Sequence, residues 1–235
     1  MKFITLENKF KTVVTLCDIG ASIYNIKIVG QSGMSESILV TPIKKNEFIY
    51  SNSYFGKTIG RTGGRISNST FELNGETYKI KSSDPNGLHG GDDSLAMMEF
   101  EYFENETRDY YEITFHYLSK DLESGYPGNL DLNVIYRLYK NENKLEVNYK
   151  GKTDKDTLLN LSNHAYFNLN SEMGNGILRH SLYINASKME KIENLLPVGI
   201  VDCGEIYSFK KAHEIGKYLF NDEIIKNTNG YDYPY

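Results

Sequence analysis

Apolar and polar residues alternate with a period of two along much of the chain. Apolar side chains occupy every second position in five segments: 24–28, 98–102, 111–117, 130–138 and 145–149. Because successive side chains on a strand point to opposite faces, each segment has one apolar and one polar face. This pattern is typical of antiparallel sheets that pack on one face.

The turn signals agree with this pattern. Phe71 and Leu73 precede Asn74-Gly75, and Tyr78 and Ile80 continue the same alternation after it. An Asn-Gly pair between two alternating runs is a strong hairpin signal. Residues 140–144 predict a second hairpin turn. Short strands at regular spacing indicate an all-β sandwich or barrel.

Helix signals are scarce. Ala212, Ile215 and Leu219 fall on one helical face, and Ser208 could cap the start, so a single helix is predicted over 208–220. The sequence contains no internal repeat and no linker rich in proline or serine. We therefore predict one domain spanning residues 1–235.

Composition narrows the class of protein. The 235 residues carry a net charge of 26 − 31 = −5, which disfavours a broad basic face for nucleic acid. No apolar run approaches the length of a membrane span, and charge interrupts the start too early for a signal peptide. Cys17 and Cys203 are far apart and form no paired motif. We expect reduced, buried thiols in a cytoplasmic protein without nucleic-acid or membrane partners.

Several common motifs are absent. Gly56-Lys57-Thr58 resembles the end of a phosphate-binding P-loop, but Ser51 stands where that motif needs a glycine. No nucleophile elbow is present. The five histidines show none of the spacings of metal ligands. We expect no metal and no cofactor.

The segment 60–91 is dense in glycine, with Arg61, Arg65 and His89 among the glycines. Arginine beside glycine suits a loop that approaches a polar ligand closely, since glycine has no Cβ. The alternative is an ordinary turn with two solvated arginines and a hydrogen-bonded loop histidine. Residue type alone leaves both interpretations open.

A second dense segment runs from Leu158 to Leu169. As a strand it would place five hydrogen-bonding side chains on one face: Asn160, Ser162, His164, Tyr166 and Asn168. Such a row is costly to bury without partners. It is either a platform for a polar ligand such as a carbohydrate or an ordinary solvent-facing strand.

Taken together, these stretches resemble the aldose 1-epimerases, or galactose mutarotases. The resemblance spans the chain and rests on five collinear stretches: 60–66, 86–91, 125–130, 160–169 and Gly230-Tyr231-Asp232. It implies a large, mostly antiparallel β-sandwich that interconverts the α and β anomers of free hexoses such as galactose or glucose. No cofactor or metal is implied, because only protons move.

The resemblance also implies roles for individual residues. His164 matches the general acid that protonates the sugar ring oxygen, and His89 matches the second catalytic histidine near that oxygen. Arg65 and Asp232 match residues that bind sugar hydroxyls, and Tyr166 would line the same pocket. The family's general base is a glutamate further along the sequence, expected beyond Tyr235. We accordingly expect a domain that lacks its C-terminal strands.

The sequence departs from the family pattern at two other places. Gly64 stands where asparagine commonly precedes the ligand-binding arginine, and the tryptophan that commonly follows the His-Gly-Gly stretch is missing. Two other functions stay open. One is an epimerase-like enzyme for hexose phosphates, for which Lys57, Arg61 and Arg65 are the clustered cations. The other is a sugar-binding protein without the base. Uncovered strand edges would also favour association, such as a homodimer.

Overall fold

A computed structural model describes residues 1–31, 33–170 and 176–235. The chain forms two compact units, Met1–Phe167 and Asn168–Tyr235. The prediction of one domain over 1–235 stays a prediction. In the described part of the chain, no helix is both long and apolar enough to cross a membrane.

The first unit contains two four-stranded antiparallel sheets, each with its strands in chain order. The strands of the first sheet are Phe3–Glu7, Val13–Cys17, Ser22–Val29 and Ser35–Ser37. The strands of the second sheet are Glu101–Glu106, Tyr110–Ser119, Leu130–Tyr139 and Leu145–Thr153. These strands contain most of the residues of the five alternating segments, which lie between positions 24 and 149.

The two sheets share one apolar core. Val14, Leu16 and Ile23 of the first sheet belong to the same buried cluster as Phe115 and Val134 of the second. The apolar residues of the run 130–138 are almost fully buried, since they occupy the inward face of a central strand. This arrangement confirms the all-β sandwich, and the mostly antiparallel pairing agrees with the period of two.

The predicted hairpin is also confirmed. Thr70–Leu73 pairs with Glu76–Lys79, and the register closes at Leu73 and Glu76. Asn74 has φ 54° and Gly75 has φ 82°, the two positive values that a type I′ turn requires. The second predicted turn, 140–144, connects Leu130–Tyr139 to Leu145–Thr153.

Short elements fill the rest of the first unit. One α-helix spans Lys45–Tyr50. Three 3₁₀ turns span Ser67–Ser69, Leu95–Met97 and Glu123–Gly125. Two-residue strands form two small ladders, Thr58–Ile59 with Ser162–Asn163 and Arg65–Ile66 with Gly87–Leu88. These two ladders position the candidate site.

Where the structure describes the second unit, at 168–170 and 176–235, it contains two strand pairs and three short helices. The pairs are Lys188–Glu193 with Leu196–Asp202 and Ser181–Leu182 with His213–Glu214. The helices span Gly204–Tyr207, Gly216–Leu219 and Asp222–Thr228. Met189, Cys203, Tyr207 and Ile224 form its buried core. Cys17 and Cys203 are both free and buried, as expected.

The helix predicted over 208–220 is wrong. Within that range only Gly216–Leu219 is helical, while His213–Glu214 pairs as a strand with Ser181–Leu182. Ser208 follows the helix Gly204–Tyr207 instead of capping a new one. Pairing with a distant strand overrides a weak local spacing of three apolar residues. The longest helix of this unit begins later, where the Asn221 side chain accepts a hydrogen bond from the Glu223 N–H.

Candidate active site

His89 is held beside Arg65 by the ladder Arg65–Ile66 with Gly87–Leu88, in which Arg65 lies opposite Leu88. The Gly64 N–H donates to His89 Nδ1 at 3.1 Å, and the His89 N–H donates to the Gly64 carbonyl at 2.9 Å. Gly90 then passes so close to Gly60 that a Cβ would lie 1.9 Å from the Gly60 oxygen. The glycines of both stretches therefore serve to bring two loops into contact.

His164 is held by the other ladder. Its backbone N–H donates to the Lys57 carbonyl, and its carbonyl accepts from the Gly56 N–H, both at 2.9 Å. The neighbouring Asn163 side chain donates to the Gly56 carbonyl and to the Tyr136 hydroxyl. These bonds fix the backbone that carries the imidazole of His164.

The structure brings the two histidines together. The ring centroids of His89 and His164 are 5.1 Å apart, and the rings meet edge to face at 79°. The two residues are separated by 164 − 89 = 75 positions in the sequence. Their proximity agrees with the resemblance, while their chemical roles stay predictions.

Tyr166 lies beside His164, while its role in a pocket stays a prediction. Its ring centroid is 4.9 Å from that of His164, and its hydroxyl donates to the Ser53 carbonyl at 3.0 Å. Tyr166 is 39% exposed, so part of the residue is accessible from solvent. Tyr166 therefore borders the histidine pair and also holds the loop that contains Ser53.

Sequence reasoning missed Tyr54. Its ring packs against both imidazoles, with centroid distances of 5.0 Å to His89 and 5.9 Å to His164. The residue follows the polar stretch Ser51-Asn52-Ser53 and carries no periodic signal. Only its position two residues before Gly56, in the loop that binds the His164 backbone, could have drawn attention to it.

Burial makes His89 a poor base. Desolvation by burial is the largest cause, and together with the nearby charges of His164 and Arg65 it lowers the pKa of His89 to about 4. The imidazole is therefore neutral near pH 7. Since Nδ1 accepts a hydrogen bond from Gly64, the neutral ring carries its proton on Nε2. His89 can donate a hydrogen bond to a ligand oxygen without being charged.

Arg65 lies near His89, because it pairs with the neighbouring Leu88. Its side chain is 22% exposed, and its Nε lies 3.8 Å from Asp84 Oδ2. Burial and the charges of Asp92 and Asp84 raise the pKa of Tyr54, while Arg65 opposes this rise. The Tyr54 phenol, which packs against both imidazoles, is thus also within the electrostatic influence of Arg65, Asp84 and Asp92.

The other two cations of this region have structural roles. Lys57 is completely buried, and its Nζ donates to the Ile49 carbonyl at 2.7 Å. Arg61 is 2% exposed and donates to the carbonyls of Pro127 and Gly128 at 2.9 Å. The interpretation of Arg61 as a solvated arginine is wrong, because these acceptors enclose its guanidinium. Lys57 and Arg61 also cannot form the cationic pocket that a hexose phosphate would need.

The predicted polar strand over 158–169 is only partly correct. Ser162–Asn163 is its one two-residue strand, while Asn160 bridges to Thr62 and Phe167 to Leu39. Asn168 is buried, whereas Leu159 and Phe167 on the predicted apolar face are about half exposed. The segment pairs with three partners in succession, so its side chains do not keep one alternation throughout.

Asp232 lies in the second unit and is exposed. Its predicted role in binding sugar hydroxyls stays a prediction. Within the same unit, Glu205 and Glu223 border a cavity of about 450 Å³ together with Tyr207 and Tyr233. Across residues 1–31, 33–170 and 176–235, no group of three or more His, Cys, Asp or Glu residues could hold a metal ion.

Comparison with known proteins adds to this geometry. A family profile described as "Aldose 1-epimerase" matches residues 2–235. The chain is 36% identical over 197 residues to an aldose 1-epimerase of Haemophilus influenzae, covering 82% of this chain and 55% of that protein. It is 31% identical over 222 residues to a galactose mutarotase of Sus scrofa, covering 92% of this chain and 61% of that protein. The chain thus spans little more than half the length of these relatives.

Solved structures show the same fold. A galactose 1-epimerase from Lactobacillus acidophilus superposes with a TM-score of 0.87 at 27% identity, covering 98% of this chain and 68% of that one. A GalM/aldose epimerase homologue from C. elegans superposes with a TM-score of 0.85 at 25% identity, covering 94% and 67% of the two chains. The similarity therefore extends through nearly all of the chain.

Proposed function

Since the chain belongs to the aldose 1-epimerase family, we propose that the whole protein interconverts the α and β anomers of free hexoses such as galactose or glucose. The observation that carries the proposal is the pair of imidazoles, His89 and His164, with ring centroids 5.1 Å apart. A sugar ring oxygen placed between them would receive a hydrogen bond from one and a proton from the other.

In this proposal His164 is the general acid. Histidine suits the role because its ordinary pKa lies near physiological pH. His89 is the neutral partner, which donates its Nε2–H to the ring oxygen as negative charge develops there. Arg65 and Asp232 bind sugar hydroxyls, and Tyr166 borders the pocket. All five roles follow from the family resemblance. The ring contacts of His89 and Tyr166 with His164 support a common site for these three residues.

The reaction itself moves only protons. The acid protonates the ring oxygen while a base removes the proton from the anomeric hydroxyl. The C1–O5 bond then breaks, and the open aldehyde rotates about C1–C2. Closure from the other face reverses the proton transfers. The resemblance assigns the role of the base to a glutamate further along than Gly230-Tyr231-Asp232.

Free sugars are favoured over sugar phosphates. Of the three clustered cations, Lys57 and Arg61 are buried against backbone carbonyls, which leaves Arg65 alone at the pocket. One partly exposed guanidinium with Asp84 beside it is a weak receptor for a dianion. A cytoplasmic location belongs to the same proposal and is supported by two free, buried thiols.

Polarimetry on freshly dissolved α-galactose and α-glucose tests this function in the natural full-length protein. We expect mutarotation well above the spontaneous rate. His164→Asn should lower kcat by roughly 10²–10⁴-fold and change sugar affinity less, because asparagine hydrogen-bonds but cannot act as a general acid.

His116→Asn is the matched control, since His116 bonds to Asp131 on the four-stranded sheet. Sugar binding without any acceleration by the wild-type protein would favour the alternative of a binding protein. Full activity in His164→Asn would assign the acid role to another residue.

A further inference from the structure

We propose that Tyr54 is a positioning residue for the sugar site: its ring holds the imidazoles of His89 and His164 in the mutual orientation that ring opening requires. The inference rests on the proposed function, because it gives Tyr54 a part in the same reaction. It starts from the two ring contacts, 5.0 Å to His89 at an angle of 82° and 5.9 Å to His164.

The loop that carries Tyr54 is bonded to the segment that carries His164. The Gly56 N–H donates to the His164 carbonyl, and the Tyr166 hydroxyl donates to the Ser53 carbonyl. Lys57, which follows Gly56, accepts a hydrogen bond from the His164 N–H through its backbone carbonyl. Its buried side-chain amine donates to the Ile49 carbonyl. Tyr54 therefore shares a backbone framework with one of the two histidines.

The backbone at Tyr54 is unusual. Its φ is 54°, in the left-handed region, and a bulky side chain seldom adopts that conformation. The turn is closed by a hydrogen bond from the Lys57 N–H to the Tyr54 carbonyl at 3.0 Å. Uncommon conformations of this kind persist where surrounding contacts enforce them, and they cluster at functional sites. Here the conformation accompanies a ring that contacts both histidines.

The ring of Tyr54 also contributes to the burial of His89. Burial is the largest cause of the low pKa of His89, and the Tyr54 ring packs against that imidazole at a centroid distance of 5.0 Å. The charged or titratable groups that act on His89 are His164 and Arg65, and those that act on Tyr54 are Asp92, Asp84 and Arg65. Removing the phenyl ring should therefore change both the orientation and the proton affinity of His89.

The direct test is the NMR titration of the His89 imidazole in this 235-residue chain. In the wild type we expect a pKa of about 4. In Tyr54→Ala we expect a value raised toward the ordinary 6.5, because water reaches the exposed edge of the ring. Tyr54→Phe should stay close to the wild type, since the ring and not the hydroxyl covers His89.

Tyr50→Ala is the matched control. Tyr50 ends the preceding helix Lys45–Tyr50 and is 81% exposed, so its removal should leave the titration of His89 unchanged. If Tyr54→Ala does not fold, nuclear Overhauser contacts between the Tyr54 and His89 rings in the wild type decide the question. Absence of those contacts, or an unchanged His89 titration in a folded Tyr54→Ala variant, would overturn the proposal.

Kinetics in the natural full-length protein separate a positioning role from a purely structural one. A small misplacement of catalytic groups costs about 100-fold in rate, so Tyr54→Ala should lower kcat by about that factor with a smaller change in KM. Tyr54→Phe should restore most of the rate. A Tyr54→Ala variant with wild-type kcat would contradict the positioning role.

The two proposals fail in different ways. If the wild-type protein neither binds sugar nor accelerates mutarotation, the proposed function fails. The titration of His89 then still shows whether Tyr54 orders the histidine pair. If the wild type is active and His89 titrates alike in wild type and Tyr54→Ala, only the inference about Tyr54 fails.

Discussion

Gly64 and His89 form a reciprocal pair of hydrogen bonds, from the Gly64 N–H to His89 Nδ1 and from the His89 N–H to the Gly64 carbonyl. These two hydrogen bonds join the Gly60–Arg65 stretch to the Asn86–Gly91 stretch at His89. It also selects the ring tautomer, because an accepting Nδ1 leaves the proton of the neutral ring on Nε2. A backbone amide thus sets the direction in which His89 can donate.

The first prediction concerns stability against pH. The folded pKa of His89, about 4, lies below the ordinary 6.5, so the unfolded chain binds more protons between these values. The free energy of unfolding should therefore fall as the pH drops from 6.5 to 4. Urea unfolding across this range should show a shallower fall in His89→Gln than in the wild type. His116→Gln is the control, and identical slopes in wild type and His89→Gln would contradict the buried, neutral state of His89.

The second prediction concerns Gly64, whose φ is 79° and whose absent Cβ would meet no atom within 4 Å. Space is available, so any cost of a side chain comes from the left-handed backbone. Gly64→Val should lower the free energy of unfolding by about 1–2 kcal/mol. Gly64→Asn should cost less, since asparagine tolerates this conformation. Urea unfolding checks both, and equal stability of Gly64→Val and wild type would show that the backbone relaxes.

The third prediction concerns Arg61. Its guanidinium donates to backbone carbonyls of residues 119, 120, 127 and 128, and the single ammonium group of lysine cannot reach them all. Arg61→Lys should lower the free energy of unfolding by about 3 kcal/mol, because buried carbonyls lose their donors. The exposed Arg108 provides the matched control, Arg108→Lys. Equal unfolding midpoints for the two variants would contradict the structural role of Arg61.

The fourth prediction concerns the ligand. Because Lys57 and Arg61 are enclosed by protein acceptors, a phosphate group should add no affinity to a hexose. Isothermal titration of galactose and galactose 1-phosphate against the natural full-length protein compares them directly. A markedly tighter phosphate complex would favour the alternative of a hexose-phosphate enzyme.

Local features of the fold were predictable from the sequence. The alternation over 130–138 and the turn Asn74-Gly75 both depend on residues within a few positions of each other. A side-chain period and a turn conformation are properties of the local backbone, so they can be read without tertiary contacts. The helix expected over 208–220 failed because a distant strand, Ser181–Leu182, pairs with His213–Glu214.

The candidate site was only partly predictable. His89, His164, Arg65 and Tyr166 were found because they lie in stretches that resemble a family pattern. Tyr54 was missed because its role is defined by two rings that lie 35 and 110 positions away in the sequence (89 − 54 and 164 − 54). A single aromatic residue in a loop carries no signal of such contacts.

By itself, the sequence determined the long alternating strands, the hairpin at Asn74-Gly75, the class of fold and the two candidate histidines, since all of these follow from local alternation or from short motifs. Only the tertiary structure decided which charges face a ligand. Arg61 and Arg65 lie four positions apart in one glycine-rich stretch, yet Arg61 is enclosed by carbonyls of the segment 119–128 while Arg65 remains partly exposed beside His89. The physical reason is that burying a charge requires partners, and those partners come from distant parts of the chain.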